Sequence, residues 1–259
     1  MNIDMMKAAE QGDANAQYEL GEMYYEGNDY EKAIYWYEKS AEQGNANAQY
    51  ELGLIYVKGE IVPTDYSKAF SLFEKAAEQG HAQALCGLGV MYYNGYGLEQ
   101  DYTKARYCYE KAAEQGYASA QYNLSAMYVD GEGVQQDYDK ARYWVEKAAE
   151  QGCVPAQYNL GVMYFKGEGV QQDYDKAHYW IEKAADQGHA SALFNLGSMY
   201  YYGKGVKQDY TKAFFWFEKS AEQGNADAQN NVGIMYEKGD GVQRDYTKAC
   251  YWYEKAAEQ

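Results

Sequence analysis

The chain repeats itself, and the period limits what it can fold into more than any other feature. A Glu-Gln-Gly or Asp-Gln-Gly tripeptide ends at Gly12, Gly44, Gly80, Gly116, Gly152, Gly188 and Gly224, so the first interval is 32 residues and the other five are 36. A second marker, Leu-Gly or a variant of it, keeps the same spacing at Gly21, Gly53, Gly89, Ser125, Gly161, Gly197 and Gly233. These markers divide the chain into a partial helix over 2–12 and seven units, roughly 13–44, 45–80, 81–116, 117–152, 153–188, 189–224 and 225–259.

Each unit holds two helical patterns. In the first, helix A, the apolar residues Ala156, Leu160, Met163 and Tyr164 recur at helical spacing and stop at Gly167. A glycine-rich turn, Gly167-Glu168-Gly169-Val170-Gln171-Gln172, leads to Asp173, placed to cap helix B. The stripe of helix B is Ala177, Trp180, Ala184 and Ala185, closed by Gly188 at the C′ position. Lys176 falls in the first turn of helix B, where the helix dipole disfavours a cation, and predicts a contact with a neighbouring repeat. The 32-residue interval tests the scheme: Gly27-Asn28-Asp29-Tyr30 stands where Gly95 to Tyr102 stand two units later, so the deletion lies in the turn and both stripes survive.

A pair of helices of about 14 residues, each roughly 20 Å long, cannot bury both apolar faces alone. Successive pairs must stack, giving an all-α fold of about seven antiparallel helix-turn-helix repeats in one domain over 1–259, with a short leading helix from Met5 to Gln11.

The unit reads Ala-x-Ala-Gln-Tyr-x-Leu-Gly-x-Met-Tyr-x-x-Gly-x-Gly-Val-x-x-Asp-Tyr-x-Lys-Ala-x-x-Trp-x-Glu-Lys-Ala-Ala-Glu-Gln-Gly, and it resembles the Sel-1-like repeat family, relatives of the tetratricopeptide repeats. The resemblance covers essentially the whole chain. It implies a tetratricopeptide-like α-solenoid wound as a right-handed superhelix, with helix A on the concave side, and the role of a protein-protein interaction scaffold or adaptor. A cysteine-rich branch of the family, with a disulfide across each helix pair, binds penicillin. Here only the third unit has cysteines in both helices, Cys86 and Cys108, at positions that hold Tyr158 and Trp180 in the fifth.

Charge and composition exclude other classes. Lys and Arg number 23 against 39 Asp and Glu, a net charge of −16, which repels nucleic-acid phosphates. No window approaches the ~18 apolar residues of a membrane span, and the first residues lack a basic segment leading into an apolar one. The expected setting is therefore cytoplasmic, with an excised piece of an exported protein as the alternative. Cys86, Cys108, Cys153 and Cys250 have no CxxC spacing and read as reduced thiols. His81 and His189 share one position after the helix-B glycine and read as surface-loop residues, and with His178 they are too few for a metal cluster. The Gly-x-Gly turns lack the strand and the lysine-serine pair of a phosphate loop. No catalytic group, metal or cofactor is expected. A β-lactam-binding or hydrolysing enzyme and a purely structural spacer are the alternatives to a scaffold.

Candidate partner-binding residues lie on helix A. One column, three residues before the Leu-Gly glycine, runs Tyr18, Tyr50, Cys86, Tyr122, Tyr158, Phe194, Asn230. Another, four after it, includes Tyr25, Tyr93, Phe165 and Tyr201. Such columns either bind a partner or pack between neighbouring helices, and tyrosine suits the first by burying its ring while its hydroxyl stays wet. Asn123, Asn159, Asn195 and Asn231 form an amide ladder that either bonds an extended peptide or ties one helix to the next. The acids Glu22, Glu26, Asp130, Asp227 and Glu237 face Lys58, Lys166 and Lys238 on this surface, so a basic partner is not required. Neither end has the polar face of a terminal cap, which predicts either a segment of a longer protein or end-to-end self-association.

Overall fold

A computed structural model describes residues 3–258. They form fifteen helices and, among the described residues, no strand. A leading helix α1 (Ile3–Glu10) precedes seven pairs: α2 (Ala14–Glu26) with α3 (Tyr30–Glu42), α4 (Ala46–Lys58) with α5 (Tyr66–Glu78), α6 (Ala82–Asn94) with α7 (Tyr102–Glu114), and α8 (Ala118–Asp130) with α9 (Tyr138–Glu150). The last three pairs are α10 (Val154–Lys166) with α11 (Tyr174–Asp186), α12 (Ala190–Tyr202) with α13 (Tyr210–Glu222), and α14 (Ala226–Lys238) with α15 (Tyr246–Ala257). The fold is an all-α solenoid of seven helix pairs. The chain divides into two compact units, 1–136 and 137–259. Within each, every helix packs on the one that follows it in sequence.

Helix ends form where the residues dictate. The Asp173 carboxylate accepts the Lys176 N–H at 3.0 Å, capping α11. At the other end Gly188 takes φ +83, its N–H reaches the Ala185 carbonyl at 2.8 Å and the His189 N–H reaches that of Ala184 at 3.1 Å, closing the carbonyls the helix leaves open. In the shortened first repeat Asn28, at φ 60, takes the left-handed conformation that glycine supplies elsewhere, and α2 and α3 keep full length.

Three sequence expectations change. His81 and His189 are not idle loop residues: each is the N-cap of a helix A, its Nδ1 accepting the N–H of Ala84 at 3.2 Å or of Ala192 at 3.3 Å. Lys176 has partners in its own repeat as well, at a cleft it shares with Arg142 and Glu146 of the repeat before. Its ammonium lies 3.7 Å from Asp173 and 5.0 Å from the Tyr164 ring centroid, so the capping carboxylate and a ring offset the dipole. The same lysine-tyrosine pairing recurs as Lys32 on Tyr24, Lys68 on Tyr56, Lys104 on Tyr92, Lys212 on Tyr200 and Lys248 on Tyr236.

The third change is in the core. Helix A buries Ala156, Leu160 and Met163 of its stripe and leaves Tyr164 half-buried, while helix B buries Ile181 in place of Trp180. The two helices cross at the Leu-Gly glycine: a Cβ on Gly161 would lie 2.6 Å from Ile181 Cγ1, and one on Gly197 2.7 Å from Phe217 Cδ1. Tyr37, Phe73 and Tyr109 fill the same place against Gly21, Gly53 and Gly89. Trp180, one step further round the helix, is half-buried and meets the exposed Tyr179 ring edge-on at 4.9 Å.

The glutamines also hold repeats together. Gln157 is 4% exposed, and its amide donates to the Ala149 carbonyl at the end of α9 while accepting from Gln187 at 2.7 Å. A buried amide is thus satisfied on both sides, and the repeated Glu-Gln-Gly has a packing cause.

Candidate functional site

The predicted site residues fall into two sets with different surroundings. In the first column, each ring turns one edge inward. Tyr18 lies 6.0 Å from the Tyr37 ring, Tyr50 5.8 Å from Phe73 and Phe194 5.6 Å from Phe217, while Tyr158 stacks on the imidazole of His189 at 4.6 Å. Burial, reinforced by Glu22 and Glu51, pushes the Tyr18 hydroxyl up to about 12. All four rings remain half-buried, so each both packs inward and keeps an outer edge.

The asparagines link successive helices A. Asn195 donates to the Tyr158 hydroxyl at 3.2 Å, and Asn123 to the Cys86 sulfur at 3.8 Å. Tyr122 and Asn159 are likewise engaged. At Asn231 the matching side chain one repeat back is Phe194, which has no atom to accept, and the ladder stops.

The second column packs on the start of helix B: Tyr25 on Tyr30 at 5.4 Å, Tyr93 on Tyr102 at 5.2 Å, Phe165 on Tyr174 at 5.3 Å and Tyr201 on Tyr210 at 5.1 Å. Two of its hydroxyls reach the turn of the next repeat. Tyr93 donates to Glu132, and Tyr201 to Asp240 at 3.3 Å.

Three of the predicted residues come together. Tyr158, Phe165 and Asn195 line a groove of about 360 Å³ between α10 and α12, completed by Val162, Lys166, Ser198, Tyr202 and Lys204. The floor is apolar, with Ile181 and Met199 beneath it, and Tyr202 on the rim is 67% exposed. Sequence reasoning missed Val162, Ser198, Tyr202 and Lys204. One signal was present: the turn position of Lys204 is Glu60, Glu132, Glu168 or Asp240 in other repeats and Tyr96 in one, so the lysine breaks the period.

Little here suits covalent chemistry. Cys86 and Cys108 are buried, and desolvation pushes their thiols up to about 12 and about 11, away from the reactive thiolate. Among the described residues no three His, Cys, Asp or Glu side chains gather as a metal site, and no helix is long and apolar enough to cross a membrane.

The Sel1 repeat family model matches seven times, at 14–45, 46–81, 82–117, 118–153, 154–189, 190–225 and 226–259, one residue later than the units read from the tripeptide. The chain belongs to the Sel1 repeat family. Sel1 repeat proteins are generally protein-interaction scaffolds and typically non-catalytic. Among solved structures, the chain matches c5321, a protective antigen present in uropathogenic Escherichia coli strains that displays an SLR fold, at 42% identity and a TM-score of 0.91. The match covers 100% of this chain and 56% of that one, so the chain spans just over half of that protein. A Sel1 repeat protein from Oxalobacter formigenes matches at 39% identity and a TM-score of 0.80, over 98% of this chain and 75% of that one. No curated protein matches the chain.

Proposed function

We propose that this Sel1 repeat chain is a non-catalytic scaffold that holds a segment of a partner protein on its helix-A face, at the groove between α10 and α12. The observation that carries the reading is the groove itself. It is apolar at its floor, about 360 Å³ in volume, and lined by ring edges, a serine and an amide at its sides. Sites of that size and lining hold ligands by shape, with a few polar groups fixing orientation. Half-buried tyrosine and phenylalanine rings at the sides supply contact area at little cost in side-chain entropy.

The test must spare the packing. Tyr158→Ala would remove the stack on His189 and the acceptor of Asn195 together, so loss of binding there has two causes. Ser198 is half-buried on the groove wall, and Ser198→Phe fills the groove from outside the core. Affinity capture from an extract of the native host, run in parallel with both chains, is expected to retain a specific protein on the wild type and lose it on Ser198→Phe. Retention of the same protein by both chains would remove the groove from the account.

A further inference from the structure

The groove departs from the rest of the molecule in charge. Acidic side chains exceed basic ones by sixteen over the chain, yet α10 and α12 carry one charged residue between them, Lys166 at the end of α10. A second cation, Lys204, overhangs the same opening from the turn after α12. Glu60, Glu132, Glu168 and Asp240 hold that turn position in other repeats, and two of these acids accept from the tyrosine of the preceding helix A, Glu132 from Tyr93 and Asp240 from Tyr201. Here both partners differ at once. Phe165 has no hydroxyl to give, and the Lys204 ammonium sits 5.5 Å from the Phe165 ring centroid.

The double change replaces a closed hydroxyl-carboxylate link with an open cation. The ring attracts the ammonium without neutralising it, and ammonium N–H donors remain for another acceptor. Among the described residues Lys204 forms no ion pair. Lys166 lies 3.4 Å from Glu168, but both side chains are more than half exposed, at 54% and 56%, so a better-placed anion competes with that pair. Lys207, exposed on the same turn, adds a third positive charge.

The geometry points to an occupant in which a large apolar or aromatic side chain adjoins a carboxylate: the ring or alkyl group fills the groove beside Val162, Phe165 and Ser198, and the carboxylate meets Lys204 and Lys166 at its rim. This rests on the reading of the groove as a partner site, and it names the chemistry of the segment that enters. Charge also sets the location. Glu19, Glu22 and Glu26 give α2 three acids, and on α14 Asp227 and Glu237 outnumber Lys238, so an acidic segment is disfavoured on both relative to the lysine-rimmed groove.

Three acetylated and amidated peptides test this, differing only in the residues flanking a central tryptophan: Gly-Asp-Trp-Asp-Gly, Gly-Asn-Trp-Asn-Gly and Gly-Lys-Trp-Lys-Gly. Each is titrated into the full ¹⁵N-labelled chain while the amides of α10, α12 and the turn at 203–207 are followed. At low salt the aspartate peptide is expected to bind about fivefold more tightly than the asparagine one, with the lysine peptide weakest. Lys204→Glu, which places in this turn the residue its siblings Glu132 and Glu168 already carry, is expected to fold normally and to reverse that order. Equal affinity for the aspartate and asparagine peptides, or an order untouched by Lys204→Glu, overturns the carboxylate preference and leaves the groove a binding site. Absence of groove shifts with all three peptides, or shifts that persist in Ser198→Phe, overturns the partner site along with it.

Discussion

At the scale of single residues, the two capping histidines make the fold sensitive to pH. The Nδ1 atoms of His81 and His189 accept backbone N–H groups, so both rings must keep Nδ1 unprotonated, and burial lowers both from their ordinary 6.5. With Nδ1 accepting, the proton sits on Nε2, which in His81 lies 2.9 Å from the side-chain Oδ1 of Asn47. Above 6.5 the ring is neutral in both folded and unfolded chains, and no stability is at stake. As pH falls below 6.5 the unfolded chain takes up protons that the folded chain refuses, so stability drops until the lowered folded value is reached. Glu51 and Glu218, raised by burial, act in the opposite sense, which makes a difference measurement the informative one. His81→Asn with His189→Asn keeps a capping acceptor at both helices, as Asn45 and Asn225 already do. Between about pH 7 and pH 5.5 the wild type is expected to lose more urea-midpoint stability than this double variant. Equal pH slopes would mean that the histidines do not titrate against their caps.

At the scale of the repeat element, two glycines with nearly the same backbone have unlike surroundings. Gly188 ends α11 at φ +83, and the nearest atom to an added Cβ is the Gln223 amide nitrogen at 3.9 Å. Gly205, in the turn before α13, has φ +70, and its Cβ would meet the Tyr174 carbonyl oxygen at 2.6 Å, at the start of helix B one repeat back. Gly188→Ala therefore carries only the left-handed backbone cost of about 1–2 kcal/mol, while Gly205→Ala adds a clash with main chain and is expected to cost about 2–4 kcal/mol. Denaturant unfolding followed by circular dichroism would rank them, and equal losses would show that the turn does not rest on the preceding repeat. Much of this element is legible from sequence, because the period, the Asp173 cap and the closing Gly167 and Gly188 each follow from local chemistry. Ile181 in place of Trp180 was not legible, since both are apolar and only the crossing at Gly161 decides which faces inward. The groove was half legible for a similar reason. Tyr158, Phe165 and Asn195 lie on a periodic pattern, but Lys204 gains meaning only once its turn is seen to overhang the helix A before it.

At the scale of the whole molecule, the order of contacts governs how stability is shared. Within 1–136 and within 137–259 each helix packs on its sequence neighbours, and the links between repeats are short-range: Gln157 to Ala149, Asn195 to Tyr158, Tyr201 to Asp240. Stability in such an array is a sum of repeat and nearest-neighbour contributions, so damage to one repeat spreads through its adjoining contacts. Leu160 is fully buried on α10, and Leu160→Ala removes side-chain contacts worth about 2–5 kcal/mol. Native-state hydrogen exchange is expected to show lost protection in α10, α11 and α12, while α2 to α5 keep theirs, since opening costs less where contacts have been removed. A uniform loss of protection from α2 to α15 would instead mean that the repeats open as a single cooperative body. The groove lies among the helices this variant loosens, so weaker partner capture by Leu160→Ala would accompany the local loss of protection. Capture would then report the integrity of α10 to α12 and not of the chain as a whole.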